Sequence, residues 1–320
     1  MKALQFEQTG KLEEVLQLTE TAMPAISSTQ VLVQVKARPV NPADQLFVKG
    51  VYRKKPVLPQ TAGLEGSGTI VECGSAVSGF APGDHVAFRA AGTWADYCAV
   101  EQEALIPIHR NIHFTTSCQV PLNPITAIAL LQEARLKAGD WLLLNAASSS
   151  LAGIIIQMAV HKGIQVVGLL HHAQHIPALQ ALGAQALLQD DAALAEQLQT
   201  ITGGKGFNAF LDAVGGPVLT TVIPLMAPYG YISVYGNLSN NAPAAFTNSA
   251  IIYKNLALQG FGIDHWLSGQ TREQVQQAYR TIVDSLYDGT LSFRQTVTVP
   301  LEKFITDYPG LLHNAKPIIV

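Results

Sequence analysis

The chain has 320 residues, 48% of them hydrophobic and only 13% charged, with a net charge of −3 at neutral pH. That length accommodates two domains with large buried cores, and so small a net charge gives no electrostatic reason to expect nucleic acid or an anionic membrane as partner. Cys73, Cys98 and Cys118 are odd in number and widely spaced, which excludes a disulfide framework and a Cys-x-x-Cys metal knuckle and suits a reducing, cytoplasmic setting.

The N-terminus, Met1-Lys2-Ala3-Leu4-Gln5-Phe6-Glu7, carries charged and polar residues too early for a signal peptide. No apolar run approaches the ~18 residues that cross a bilayer, so no membrane partner is expected. As far as about residue 120 the pattern is β-rich. Residues 32–36, Leu-Val-Gln-Val-Lys, alternate apolar and polar as a half-buried strand does. Residues 66–75 read as a strand between glycine turns, and the turn 79–84 leads into another strand at His85-Val86-Ala87-Phe88. Residues 121–137 are helical in pattern.

Two apolar runs follow, Trp141-Leu142-Leu143-Leu144 and Gln165-Val166-Val167-Gly168-Leu169-Leu170, each too short for a helix. Between them Leu151, Ile154, Ile155, Met158 and Ala159 recur at helical spacing. Strand, small-residue turn, helix and strand within about thirty residues make a βαβ unit, which implies a parallel sheet. The alternation continues with a helix over 177–182 ended by Gly183, a strand at 186–188, a helix over 192–200 and a strand over 207–212 that runs into Gly215-Gly216. A helix over 218–225 and a strand over 230–236 follow. The spacing predicts a further helix over 271–286 before the chain returns to short strands.

In the first unit of a dinucleotide-binding fold, the turn after the first strand brings backbone N–H groups and a helix N-terminus against a pyrophosphate. Ser148, Ser149, Ser150 and Leu151 are the candidate contacts here. Ser149, Ser150 and Ala152 stand where glycines are usual. Alanine at the third position is an accepted variant because that position serves close helix–strand packing. Ser150 puts a Cβ where backbone approaches phosphate, with a hydroxyl able to donate in return. An ordinary βα turn that binds no nucleotide fits the same residues. The second strand ends in His171-His172, with no acid to take a free ribose 2′-hydroxyl, which points to NADPH over NADH. Histidine is only partly charged at neutral pH and is a weaker phosphate partner than arginine.

A β-rich half, an inserted dinucleotide fold and a β-rich return resemble the medium-chain dehydrogenase/reductase superfamily. The resemblance rests on Val40-Asn41-Pro42-Ala43-Asp44, Lys49-Gly50-Val51-Tyr52, Gly63-Leu64-Glu65-Gly66-Ser67-Gly68, Pro82-Gly83-Asp84-His85-Val86 and Lys254-Asn255-Leu256-Ala257-Leu258-Gln259-Gly260-Phe261. It covers nearly the whole chain and implies an α/β fold. A doubly wound Rossmann domain, 123–260, would be inserted in a β-rich GroES-like catalytic domain, 1–122 plus 261–320. Gly92-Thr93-Trp94, Asn123-Pro124-Ile125-Thr126-Ala127, Asn145-Ala146-Ala147 and Trp266 are most similar to the 2-enoyl thioester reductases, and next to the quinone oxidoreductases.

The resemblance implies roles residue by residue. Zinc-dependent members carry ligands where Asn41, Leu64 and Leu122 fall, so no metal is expected. Tyr52 matches the tyrosine that lies over the nicotinamide in the enoyl thioester reductases and donates a hydrogen bond or proton; packing of a loop is the alternative reading. Asn41 and Asp44 are expected at the nicotinamide end, with a turn or cap role open for Asp44. Asn123, Thr126, Tyr235, Gly236 and Phe261 are expected along the cofactor. Trp94 and Trp266 are candidate walls of a substrate pocket, with plain core as the alternative. The expected function is zinc-independent, NADPH-dependent reduction of an activated C=C bond in a small molecule by a homodimer paired through the strand near 250–258. A quinone acceptor and a non-catalytic NADPH-binding protein are the alternatives.

Overall fold

A computed structural model describes residues 1–311 and 315–320. The chain divides into two compact units, Met1–Asn123 with Gln276–Val320, and Pro124–Val275.

The first unit opens with β1 (Lys2–Phe6), β2 (Gln17–Glu20), β3 (Gln30–Pro39), β4 (Gln60–Thr61), β5 (Glu65–Cys73), β6 (His85–Arg89), β7 (Tyr97–Glu101) and β8 (Leu105–Pro107). The second unit contributes β9 (Trp141–Leu144), β10 (Gln165–Leu170), β11 (Gln185–Leu188), β12 (Phe207–Asp212), β13 (Met226–Val234) and β14 (Ala257–Gly260). The chain then returns through β15 (Thr296–Val299) and β16 (Lys316–Ile319).

In the first unit β1 lies between β2 and β4 in a three-stranded sheet, and a larger mixed sheet runs β15-β16-β3-β5-β6-β8 with β7 added on β3. The long β3 is Val-rich, and Val31, Val33 and Val35 face a core shared with Ile70, Val86 and Phe88. A second core gathers Leu4, Phe6, Phe47, Trp94 and Phe304. Between these elements a guanidinium is buried without a carboxylate. Arg38 donates from Nε to Thr93 O at 3.2 Å and from Nη2 to the carbonyls of Val35 and Ala95. Burial lowers its pKa to about 10, with the Asp96 charge opposing that shift. Arg38 thereby ties the 93–95 segment to β3.

The second unit is a six-stranded sheet of order β11-β10-β9-β12-β13-β14, every pairing parallel. Numbered from β9, that is 3-2-1-4-5-6, the doubly wound order whose ligand crevice lies where the strand order reverses, here between β9 and β12. Leu142, Leu143 and Leu144 are fully buried, as are Phe207, Ala209, Phe210 and Leu211. A central parallel strand covered on both faces needs such a continuous apolar run rather than an alternating one.

The structure differs from the sequence expectations at element ends. The helix expected over 218–225 is α-helical only over Val218–Val222 and tightens to a 3₁₀ turn at Ile223–Leu225, because Pro224 has no N–H to continue the ladder. The strand expected from 230 begins at Met226. The return to the first unit comes at Gln276, not 261. Before that boundary the chain adds the helix Ile263–Ser268, which the sequence pattern does not announce, and enters the expected helix Arg272–Tyr287.

Candidate active site

In the second unit the turn after β9 is built by its own backbone. Ala146 takes φ +46°, a left-handed conformation that costs a non-glycine residue energy, and its carbonyl accepts Ser149 N–H at 2.9 Å. Ser149 is the N-cap of the helix Ser150–His161, with its Oγ accepting Ala152 N–H at 3.2 Å. Ser148, Ser149, Ser150 and Leu151 are half-buried at the positive end of this 12-residue helix. The first-turn N–H groups of Ser150 and Leu151 are of the kind that a helix leaves for an anion.

The close approach that glycines usually provide in this turn comes from another strand. Gly168 on β10 lies so near Ala147 that an added Cβ would stand 2.7 Å from Ala147 Cβ and 2.6 Å from Leu179 Cδ2. Sequence reading sought the glycine within the turn and missed it, since only the parallel register of β10 with β9, Gly168 opposite Leu144, reveals it.

At the point where the sheet order reverses, Asn145 and Asp212 lock the ends of β9 and β12 together. Asn145 Nδ2 donates to Asp212 Oδ1, and Asn145 Oδ1 accepts Ala213 N–H at 2.7 Å. Asp212 Oδ1 also accepts the N–H groups of Val214 and Gly215 at 2.9 and 2.8 Å. Tyr235 and Gly236 follow β13, and both donate their N–H to the Asp212 carbonyl, at 2.9 and 3.3 Å. Gly236 must be glycine, for an added Cβ would come 2.3 Å from the Ala213 carbonyl oxygen. Burial and the Asp212 charge push the Tyr235 phenol up. Among the described residues Asp212 Oδ2, Tyr235 OH and Ser239 Oγ are buried polar atoms with no hydrogen-bond partner.

His171 and His172 are exposed beyond the end of β10, as the sequence predicts. His171 is not alone there: its Nδ1 is 3.0 Å from Asp190 Oδ2. Phe261, half-buried, donates its N–H to Val234 O at 2.9 Å just past β14. Trp266 is half-buried on the helix Ile263–Ser268. Asn123 and the buried Thr126 lie within one turn of the helix Asn123–Ala134.

In the first unit the helix Pro42–Val48 brings Asn41 and Asp44 together in a capping box, Asp44 Oδ2 accepting Asn41 N–H at 2.8 Å. Asn41 Nδ2 donates to Glu65 Oε1 at 2.6 Å. Asp44 and Glu65 are fully buried. Burial raises Asp44 to about 7 against the Asn41 N–H that favours its anion. Burial likewise raises Glu65, opposed by the Lys316 charge. Asp44 thus occupies the cap role left open for it, with no accessible surface. Of the two readings of Trp94, pocket wall and plain core, its position agrees with core. It is fully buried and meets Phe304 edge to face, with ring centroids 5.0 Å apart. Tyr52 is half-buried against the same core, held by its N–H to the Leu46 carbonyl at 2.9 Å.

The Asp44 environment sets a pH dependence. Its folded pKa lies above the unfolded value, so burial of the neutral acid stabilises the fold fully below about pH 4 and that contribution is lost as pH rises through about 7. Asp44→Asn keeps an acceptor for Asn41 N–H and removes the charge. The variant is expected to show a flatter decline of urea midpoint between pH 5 and 8 than the parent; parallel curves would refute the assignment.

Residues 27–110 match the family model for the alcohol dehydrogenase GroES-like domain, and residues 151–284 that for zinc-binding dehydrogenase. The chain is 29% identical over 315 residues to the mitochondrial enoyl-[acyl-carrier-protein] reductase of Arabidopsis thaliana, covering 95% of this chain and 82% of that protein. It is 28% identical over 328 residues to the Homo sapiens protein of the same name, covering 100% and 87%. Among solved structures, Escherichia coli quinone oxidoreductase complexed with NADPH superposes with a TM-score of 0.87 at 22% identity over 100% of both chains. A Mesorhizobium loti protein assigned as an NADPH:quinone reductase superposes with a TM-score of 0.91 at 27% identity, over 100% of this chain and 98% of that one. With a GroES-like match on one unit, and a dehydrogenase match and a parallel sheet of order 3-2-1-4-5-6 in the other, the chain resembles the medium-chain dehydrogenase/reductase superfamily.

Proposed function

We propose that the protein is an NADPH-dependent reductase of an activated C=C bond, in an enoyl thioester or an enone. The observation that carries this reading is the end-to-end similarity to enoyl-[acyl-carrier-protein] reductases, over 95% of this chain, combined with an anion-binding turn at the head of the Rossmann unit. The residues present fit a dinucleotide. The helix N-terminus after Ser149 would hold the pyrophosphate, Gly168 leaves room for the turn to sit tightly, and His171 and His172 would meet the adenosine ribose.

NADPH, when bound, would supply the hydride that the β-carbon of the substrate accepts. Charge then develops on the thioester or ketone oxygen, and a proton must reach the α-carbon to complete the saturated product. Tyr52 donates a hydrogen bond to that oxygen, where a preorganised donor acts on charge present mainly in the transition state. The lock between Asn145 and Asp212 holds the strand ends in place during turnover.

Catalysis without zinc is part of the proposal. Leu64 and Leu122 carry no lone pairs, and the Asn41 amide is committed to Glu65 at 2.6 Å, whereas Zn²⁺ needs three or four N, O or S ligands converging on one point. Purified, tag-free protein is expected to contain far less than one zinc per chain by elemental analysis and to keep its activity in a chelator. Stoichiometric zinc, or activity lost and then restored by Zn²⁺, would overturn it.

A homodimer is proposed as well. Every residue of β14 is exposed at the sheet edge, and Ile252, Tyr253 and Tyr229 are strongly exposed nearby in the chain or across strand connections. An open strand edge with apolar neighbours is protected by pairing with a second copy. Light scattering is expected to give twice the chain mass at micromolar concentration; a monomer there counts against it. Free cysteines at Cys73, Cys98 and Cys118 support a reducing, cytoplasmic location, which recovery from an oxidising compartment would overturn.

The assay that tests the central reading follows NADPH consumption with crotonyl thioester, an enone and a naphthoquinone. Fastest turnover with the thioester or enone is expected. A naphthoquinone preference would favour the quinone reading, to which the solved structures above give weight, and NADPH binding without turnover would make the protein a non-catalytic binder.

A further inference from the structure

The acid that the sequence lacks at the end of the second Rossmann strand is supplied in space by the third. β10 and β11 pair in parallel with Leu170 opposite Leu188, and the ladder runs on beyond β11, where Gln189 N–H donates to Leu170 O at 2.7 Å. The next residue, Asp190, therefore lies beside the first residue after β10, and its Oδ2 is 3.0 Å from His171 Nδ1. Both side chains are open to solvent, 52% exposed for His171 and 76% for Asp190. Asp191 is otherwise engaged, for its two oxygens accept Ala193 N–H at 2.8 Å and Gln197 Nε2 at 3.1 Å. From Gly163 to Gly204 the sequence contains no lysine or arginine. The stretch that would meet the adenosine ribose thus offers three histidines and, in Asp190, an exposed carboxylate whose Oδ2 meets only His171 among the contacts above, and no permanent cation.

We propose that Asp190 is a specificity-determining residue for the cofactor: its carboxylate accepts the 2′-hydroxyl of NADH and competes with a 2′-phosphate for His171, so the protein binds both dinucleotides. This rests on the assignment of β9, its helix and β10 as the cofactor unit under the proposed function. A carboxylate at this position accepts from a ribose hydroxyl and repels a phosphate, which is the physical basis of the acid found at the end of the second strand in NAD-binding units. His171 supplies the opposing preference, since its ring donates to a phosphate when Asp190 does not hold it. The preference is then a balance between two side chains that touch, one from each strand.

The test measures dissociation constants for NADPH and NADH by fluorescence, and for 2′,5′-ADP and ADP by calorimetry, in the parent, Asp190→Asn and His171→Ala. The two adenosine fragments read this end of the site without the nicotinamide. Because Asp190 is exposed, Asp190→Asn is expected to leave the thermal midpoint unchanged. It is expected to tighten NADPH and 2′,5′-ADP by roughly three- to tenfold and to weaken NADH and ADP by roughly as much, the scale of one charge-assisted hydrogen bond at an exposed site. His171→Ala is expected to weaken NADPH and leave NADH nearly unchanged. If Asp190→Asn moves both dinucleotides by the same factor, or neither, while the parent binds NADPH, this proposal is wrong and the cofactor assignment stands. A folded parent that binds neither dinucleotide overturns both.

Discussion

Tyr52→Phe is expected to lower enoyl reduction by roughly 100- to 1,000-fold while leaving the fold and NADPH affinity intact, the loss typical of removing one oxyanion donor, about 2.7–4 kcal/mol. The substitution removes a single oxygen. The ring stays half-buried against the core of Leu4, Phe47 and Trp94, and the backbone N–H to Leu46 O is untouched. With leucines at two of the three zinc-ligand positions, no side chain there can polarise the substrate oxygen through a metal, so the phenol carries that task in the proposed mechanism. An interaction made mainly in the transition state lowers kcat and kcat/KM together, and that pairing distinguishes it from a lost ground-state contact, which raises KM alone. Quinone reduction depends less on one carbonyl donor and is expected to fall less. Enoyl reduction within about threefold of the parent would leave Tyr52 as loop packing and remove the main mechanistic ground for the thioester reading.

Asp212→Ala is expected to destabilise the protein by about 3–5 kcal/mol, as removal of one member of a buried hydrogen-bond network does. Asp212 is fully buried, and its Oδ1 accepts from the Asn145 side chain and from the N–H groups of Val214 and Gly215. Truncation strands three donors away from water, each costing about 1–3 kcal/mol if no rearrangement rescues it. It also opens the point where the sheet order reverses, so NADPH affinity is expected to fall with stability. Asp212→Asn keeps a carbonyl oxygen and the side-chain shape, and is expected to recover more than half of the loss. Urea unfolding of the two variants beside the parent decides the matter: equal midpoints for Asp212→Ala and the parent would show that the network carries no stability.

Much of the architecture was legible along the chain because it depends on local periodicity. The strand predicted at 207–212 is β12 as observed, and the helix expected over 271–286 is Arg272–Tyr287. Central parallel strands read as apolar runs, and surface helices repeat every three or four residues, so neither needs tertiary information. Helix and strand ends were less legible, since Pro224 and the capping at Ser149 act on one or two residues only.

By itself the sequence determined the class of the protein: two units, a doubly wound sheet, a small-residue turn before a helix and a histidine pair at the second strand. Tertiary structure alone decided what those side chains face. Gly168 substitutes for a turn glycine from the neighbouring strand, Asp190 reaches His171 from the strand beyond, and Asp44 and Trp94 prove to be sealed inside. The physical reason is common to all four. Burial and parallel register are relations between segments far apart in the chain, and a residue's type says which contacts it can make, not which neighbour the fold will bring to it.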